Sequence, residues 1–153
     1  MDVMTVELNP WASLKTALGG DPNKHYFGGP CPTERQRLLA ENLGPLPGPL
    51  RQMLSVFDGA ELSIDAIPLF TLLGTKEGAR YPGFDVSIET YTKRWRESST
   101  EKGTWVIGFT NYGGRFIVGA DNTIREWGSA ESKWLGGSMS GSHLVKRIVA
   151  KCA

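Results

Sequence analysis

Cysteine and histidine are scarce in this chain. Only Cys31 and Cys152 occur among 153 residues, near opposite ends and without a Cys-x-x-Cys pair. His25 and His143 are the only histidines, and too few lie near either cysteine to complete four zinc ligands, so the cysteines read as reduced thiols and no metal is expected. Long apolar runs are missing as well, which removes any membrane-spanning helix from the reading. The N-terminal stretch Met1-Asp2-Val3-Met4-Thr5-Val6-Glu7-Leu8 carries acids where a secretion signal needs basic residues, so the expected location is cytoplasmic. Net charge is nearly absent too: 17 Lys and Arg against 16 Asp and Glu leave +1. No chain-wide field draws nucleic acid, an anionic membrane or an acidic partner, and charge-driven recognition has to be local.

Catalytic patterns are equally sparse. Neither histidine sits in a recognisable nucleophile–base motif. Gly113-Gly114 joins two expected strands, and Gly136-Gly137 is followed by Ser138 and Met139 without the lysine of a phosphate-binding loop. Glu61, Asp65, Asp85 and Asp121 are carboxylates that would act as an acid–base pair only if the fold made them converge; otherwise they are solvated turn positions. The expectation is a protein that is not an enzyme and carries no cofactor.

What is present is a core. With 40% hydrophobic residues, the chain has the size and composition of one domain that folds without staples. Asn9-Pro10 followed by Trp11, Leu14 and Leu18 predicts a first helix stopped by Gly19-Gly20. Residues 21–32, rich in glycine and proline, read as a connecting loop or tether, so 1–32 form an N-terminal helix and loop and 33–153 the main body. Thr33 and Gln36 make a capping box for a helix with Leu38, Leu39 and Leu43 on its apolar face, and Gly44-Pro45 stops it. Leu50, Met53, Leu54 and Phe57 then recur at helical spacing, ending at Gly59. Leu62 to Ile64 and Ile67 to Phe70 read as short strands, Val86 to Trp95 as helix or strand with helix preferred. The segments Trp105–Thr110, Arg115–Ala120 and Thr123–Trp127 predict an antiparallel meander. After a flexible Gly136-Gly137-Ser138 stretch, Leu144, Val145, Ile148, Val149 and Cys152 mark a final helix with Ser142 as cap. Helices, then strands, then a helix define an α+β domain: one antiparallel sheet with a central meander packed against several short helices.

Three features together resemble the SUKH superfamily. They are the paired short helices around Leu43-Gly44 and Leu46-Pro47 that end in Phe57-Asp58-Gly59, the Trp105-Val106-Ile107-Gly108 strand, and the Gly119-Ala120-Asp121 turn leading to Trp127. In order and spacing they cover nearly the whole chain. The chain departs from the pattern at Asp58, where asparagine is frequent, and in the glycine-rich segment Leu135 to Gly141. The superfamily includes toxin-immunity proteins and cell-wall-assembly regulators, so the resemblance implies a single protein-binding domain, and above all an antidote that occludes a toxin's active or substrate-binding surface. Fold alone does not fix such a function.

Candidate binding residues follow from residue type. Five tryptophans is many for this length, and Trp127, Trp134 and Tyr112 fall near expected turns, where rings either cover the sheet's ends or anchor a protein interface. Arg115, in the same hairpin as Tyr112, joins them. The rival signal is Lys93-Arg94-Trp95-Arg96 with Tyr91, a basic–aromatic mixture suited to nucleic acid; set against it are Glu89, Glu97 and Glu101, and a helical spacing that makes Trp95 a core residue with a solvated basic face beside it.

Overall fold

The computed structural model describes residues 9–81 and 83–153, and the acidic stretch 1–8 lies outside them. Helix α1 (Pro10–Leu18) begins as its sequence dictates: the Asn9 side chain accepts the Trp11 N–H at 3.1 Å, and proline opens the first turn. Trp11, Leu14 and Leu18 are all buried, so this helix belongs to the core. The segment read as a loop after it contains a strand. β1 (His25–Phe27) pairs with β2, and His25 is a strand residue.

Helices α2 (Thr33–Leu43) and α3 (Gly48–Val56) follow. Pro32, and not Thr33, holds the cap position of α2, and no side chain caps it; Gln36 Nε2 instead donates to the Cys31 carbonyl at 3.0 Å. In α3 the apolar stripe Leu50, Met53 and Leu54 is fully buried, with Phe57 just beyond it. Gly59 follows at φ 91°, a left-handed conformation that costs other residues strain.

Asp58, between them, is more than a turn former. Its buried carboxylate accepts Arg35 Nη1 at 2.7 Å, the Thr75 N–H at 2.6 Å and the Thr75 hydroxyl at 2.7 Å, tying α2 to the segment after β3. The backbone closes around it: a Cβ on Gly74 would stand 2.7 Å from Asp58 Oδ1, and one on Gly78 would overlap Oδ2.

Among the described residues the sheet has seven strands in chain order, each antiparallel to the next: β1, β2 (Ala60–Ile64), β3 (Ile67–Leu72), β4 (Trp105–Thr110), β5 (Gly114–Val118), β6 (Ile124–Gly128) and β7 (Lys133–Met139). The expected three-stranded meander is thus part of a longer one. The Gly136-Gly137-Ser138 stretch, read as flexible, is inside β7. Between Ile124 and Glu126 the β6 strand advances two residues while β7 advances four, from Leu135 to Met139, and Gly136 takes φ 71° in the bulge that results. Helix α4 (Ile88–Ser98) resolves the ambiguous segment in favour of helix, with the Ser87 hydroxyl accepting the Thr90 N–H. Helix α5 (Gly141–Cys152) is capped by Ser140, two residues before the expected Ser142, through the His143 N–H.

The two faces of the sheet differ. Helix α5 packs on β2 and on α1, which rests in turn on α3, and this side buries Phe70, Leu72, Phe116, Val118 and Ile124. Helix α4 lies across β4 on the opposite side, its Tyr91 stacked on Phe109 at 5.4 Å. Directly paired residues form one row across that second face through all seven strands: Tyr26, Glu61, Thr71, Phe109, Arg115, Trp127 and Trp134. The architecture is a single α+β domain, and among the described residues no helix is long and apolar enough to cross a membrane.

A candidate interaction surface

The cross-strand row sets the geometry. Arg115 on β5 is opposite Trp127 on β6, which is opposite Trp134 on β7, and period-two alternation sends all three side chains to the α4 face. The Trp127 and Trp134 rings meet edge to face with centroids 5.0 Å apart. Trp95 of α4 completes the group at 5.7 and 5.8 Å from them. Trp95 itself is buried and its Nε1–H donates to the Thr104 hydroxyl at 2.7 Å, whereas Trp127 and Trp134 are half-buried. The three indoles, with Ser98, Ser99, Thr100 and Glu101, line a groove of about 460 Å³.

Two guanidinium groups border these rings. Arg125 lies over Trp134 at 4.0 Å from the ring centre and pairs with Glu101. Arg115 sits 5.9 Å from the centre of the Tyr91 ring, and among the described residues no carboxylate pairs with it. Tyr112 stands apart from this group. It is exposed at the β4–β5 turn, and its hydroxyl is bonded by Arg147 of α5, on the other side of the sheet. Arg147 also holds Glu126 Oε1 at 2.7 Å; burial is the largest single influence and works to lower its pKa, but the bonds and charges of Glu126 and Tyr112 together outweigh it and the pKa is raised. The four residues singled out in the sequence therefore fall into a group of three and a separate tyrosine.

The Lys93 to Arg96 cluster is divided by the helix. Arg96 turns inward, donating to the Leu43 carbonyl at 2.7 Å and the Thr104 carbonyl at 3.0 Å, and burial lowers its pKa. Lys93 and Arg94 stay exposed, with Arg94 4.0 Å from Asp85. Glu101 and Arg125 were not found from the sequence as parts of a site, since their 24-residue separation carries no periodic signal. At the far end of the same row, Arg80 stacks over Tyr26 and Tyr81 at 4.3 and 5.1 Å and pairs with Glu61 at 3.3 Å.

The other chemical candidates are dispersed. His25 is buried with its Nδ1 accepting the Ser63 N–H at 3.1 Å, and desolvation, aided by Lys24, lowers its pKa. His143 is exposed in the first turn of α5. Cys31 is buried, and burial, then the Asp58 charge, pushes its thiol up to about 12. Asp65 lies in the β2–β3 turn, Asp121 binds Thr123 in the β5–β6 turn, Asp85 accepts the Thr90 hydroxyl, and Glu61 holds Arg80, so these four carboxylates do not converge. Among the described residues no three His, Cys, Asp or Glu side chains group to hold a metal. No protein-family model matches the chain, and no curated protein matches it.

Proposed function

We propose that this chain is a protein-binding domain that works by occlusion, and that its partner is a toxin whose active or substrate-binding surface it covers. The observation that carries this reading is the surface formed by Arg115, Trp127 and Trp134, where a guanidinium with no carboxylate partner among the described residues stands in one cross-strand row with two half-buried indoles beside an open groove. Tryptophan and arginine dominate binding energy in protein interfaces because they bury large areas and form directional bonds with little flexibility left to lose. The SUKH-like order of motifs supports the antidote form of the reading. A nucleic-acid module built on Lys93 to Arg96 is less favoured, because Arg96 already bonds two backbone carbonyls.

The test is affinity recovery of the tagged protein from its native cells, followed by mass spectrometry after a moderate-salt wash. Recovery of one stoichiometric protein whose toxicity the chain suppresses is expected. Arg115→Glu should weaken that association far more than it lowers the melting temperature. Recovery of nucleic acid alone, or of no macromolecule, would count against the reading.

A further inference from the structure

We infer that the tryptophan groove receives an acidic peptide segment of the partner with an apolar side chain as its anchor; this rests on the protein-binding reading above. The groove's volume, about 460 Å³, lies within the range of concave sites that bind ligands. Its walls supply apolar contact, and its donors are available. The Trp95 indole N–H is committed to Thr104, while those of Trp127 and Trp134 have no acceptor among the described residues. An extended peptide offers what these walls lack: a side chain for the indole faces and backbone carbonyls for the N–H groups.

Charge decides the rest. Among the described residues Glu101 is the only carboxylate lining the groove, and Arg125 neutralises it while lying on Trp134. A partner lysine or arginine would have to displace Arg125 from both positions, exchanging one cation for another without gain. A partner aspartate or glutamate meets the donors Arg125 has left over after Glu101 and, just outside the groove's lining, Arg115, which is opposite Trp127 and has no acidic partner among the described residues. The local balance is thus cationic although the chain as a whole is almost neutral, which directs an acidic segment to this place. A nucleic-acid strand is disfavoured on the same grounds. Its phosphates need a succession of free cations, yet Arg96 and Lys102 bond backbone carbonyls, Arg94 is 4.0 Å from Asp85, and Glu97 follows Arg96 on α4.

The experiment is selection of random dodecapeptides on phage against the wild-type protein, with counter-selection on Trp134→Ala and on Thr100→Trp, which fills the groove from an exposed position. Anisotropy titrations of the labelled winning peptide and of labelled (dT)15 follow. Enriched sequences should combine Asp or Glu with Leu, Phe or Trp, and both variants should weaken their binding by roughly tenfold or more, as Arg115→Glu should too. Basic winners that depend on the groove would overturn the acidic assignment and leave the protein-binding reading standing. Absence of groove-dependent peptides would overturn the inference, and a natural partner recovered equally by wild type and Thr100→Trp would do so without touching that reading. Groove-dependent binding of (dT)15 in place of peptides would overturn both.

Discussion

Replacing Asp58 should be among the costliest polar substitutions in this domain. Asp58→Ala removes the acceptor from Arg35, from the Thr75 N–H and from the Thr75 hydroxyl together. Hydrogen bonds to a charged group contribute about 1.5–3 kcal/mol each, and a buried donor left unsatisfied costs about 1–3 kcal/mol. Arg35 is a quarter exposed, so water re-solvates it in the variant and its share is discounted. The Thr75 N–H sits deeper and gains no such relief. The net expectation is about 3 kcal/mol, which for a chain of this size lowers the melting temperature by about 6–12 °C. Asp58→Asn separates the charge from the turn geometry. One oxygen can still take the Thr75 N–H and the Thr75 hydroxyl can turn to accept, but an amide nitrogen at the other site would face Arg35, which only donates and loses its charged partner, so the loss should be about 2 kcal/mol. Urea unfolding of both variants, with Arg35→Met for a double-mutant cycle, measures each value. An Asp58→Asn variant within about 0.5 kcal/mol of wild type would show that Asp58 serves only as a turn residue and refute the reasoning.

Two further expectations concern titration and reactivity. His25 has its pKa lowered by burial, then by Lys24. A base depressed in the folded state gives stability that is intact above its usual value near 6.5 and lost as pH falls below it, because the unfolded chain takes up the proton first. Unfolding free energy should therefore decline between about pH 7.5 and 5.5, and His25→Gln should flatten that decline; an unchanged slope would assign the pH dependence elsewhere. Cys31, pushed up to about 12, and Cys152, raised by burial, should both resist a thiol reagent at neutral pH until the protein is unfolded. Rapid reaction of one equivalent in the native protein would contradict this.

The sequence made visible those elements whose buried face repeats. Trp11, Leu14 and Leu18 in α1 and Leu50, Met53 and Leu54 in α3 carry a period that burial enforces, and β4 to β6 show as short β-rich runs set apart by turn residues. β1 stayed hidden because three residues are too few to show alternation. β7 stayed hidden because Gly136 and Gly137 have no side chains to alternate and its bulge breaks the period. The Asn9 cap of α1 was legible, whereas the caps of α2 and α5 were misplaced by one and two residues because several residues near a helix start can fill that position in a sequence, while the backbone uses only one. At the candidate surface the residue types were legible and their convergence was not. Arg115, Trp127 and Trp134 meet through strand register, a long-range property, and Tyr112 departs from them because Arg147, 35 residues away, holds its hydroxyl. The role of Asp58 was masked in the same way, since its partners stand 23 and 17 residues distant.

The bulge in β7 bears on how this molecule behaves in company. A strand that ends a sheet offers its free amides and carbonyls to any extended chain, and filaments grow from such edges. Here a docking strand could follow Lys133 to Leu135 and would then lose registry where β7 gains its additional residues at Gly136. The opposite end of the sheet, β1, is only three residues long. Neither end is a long, regular template, so the domain can display tryptophans at an outer strand without polymerising through its own sheet.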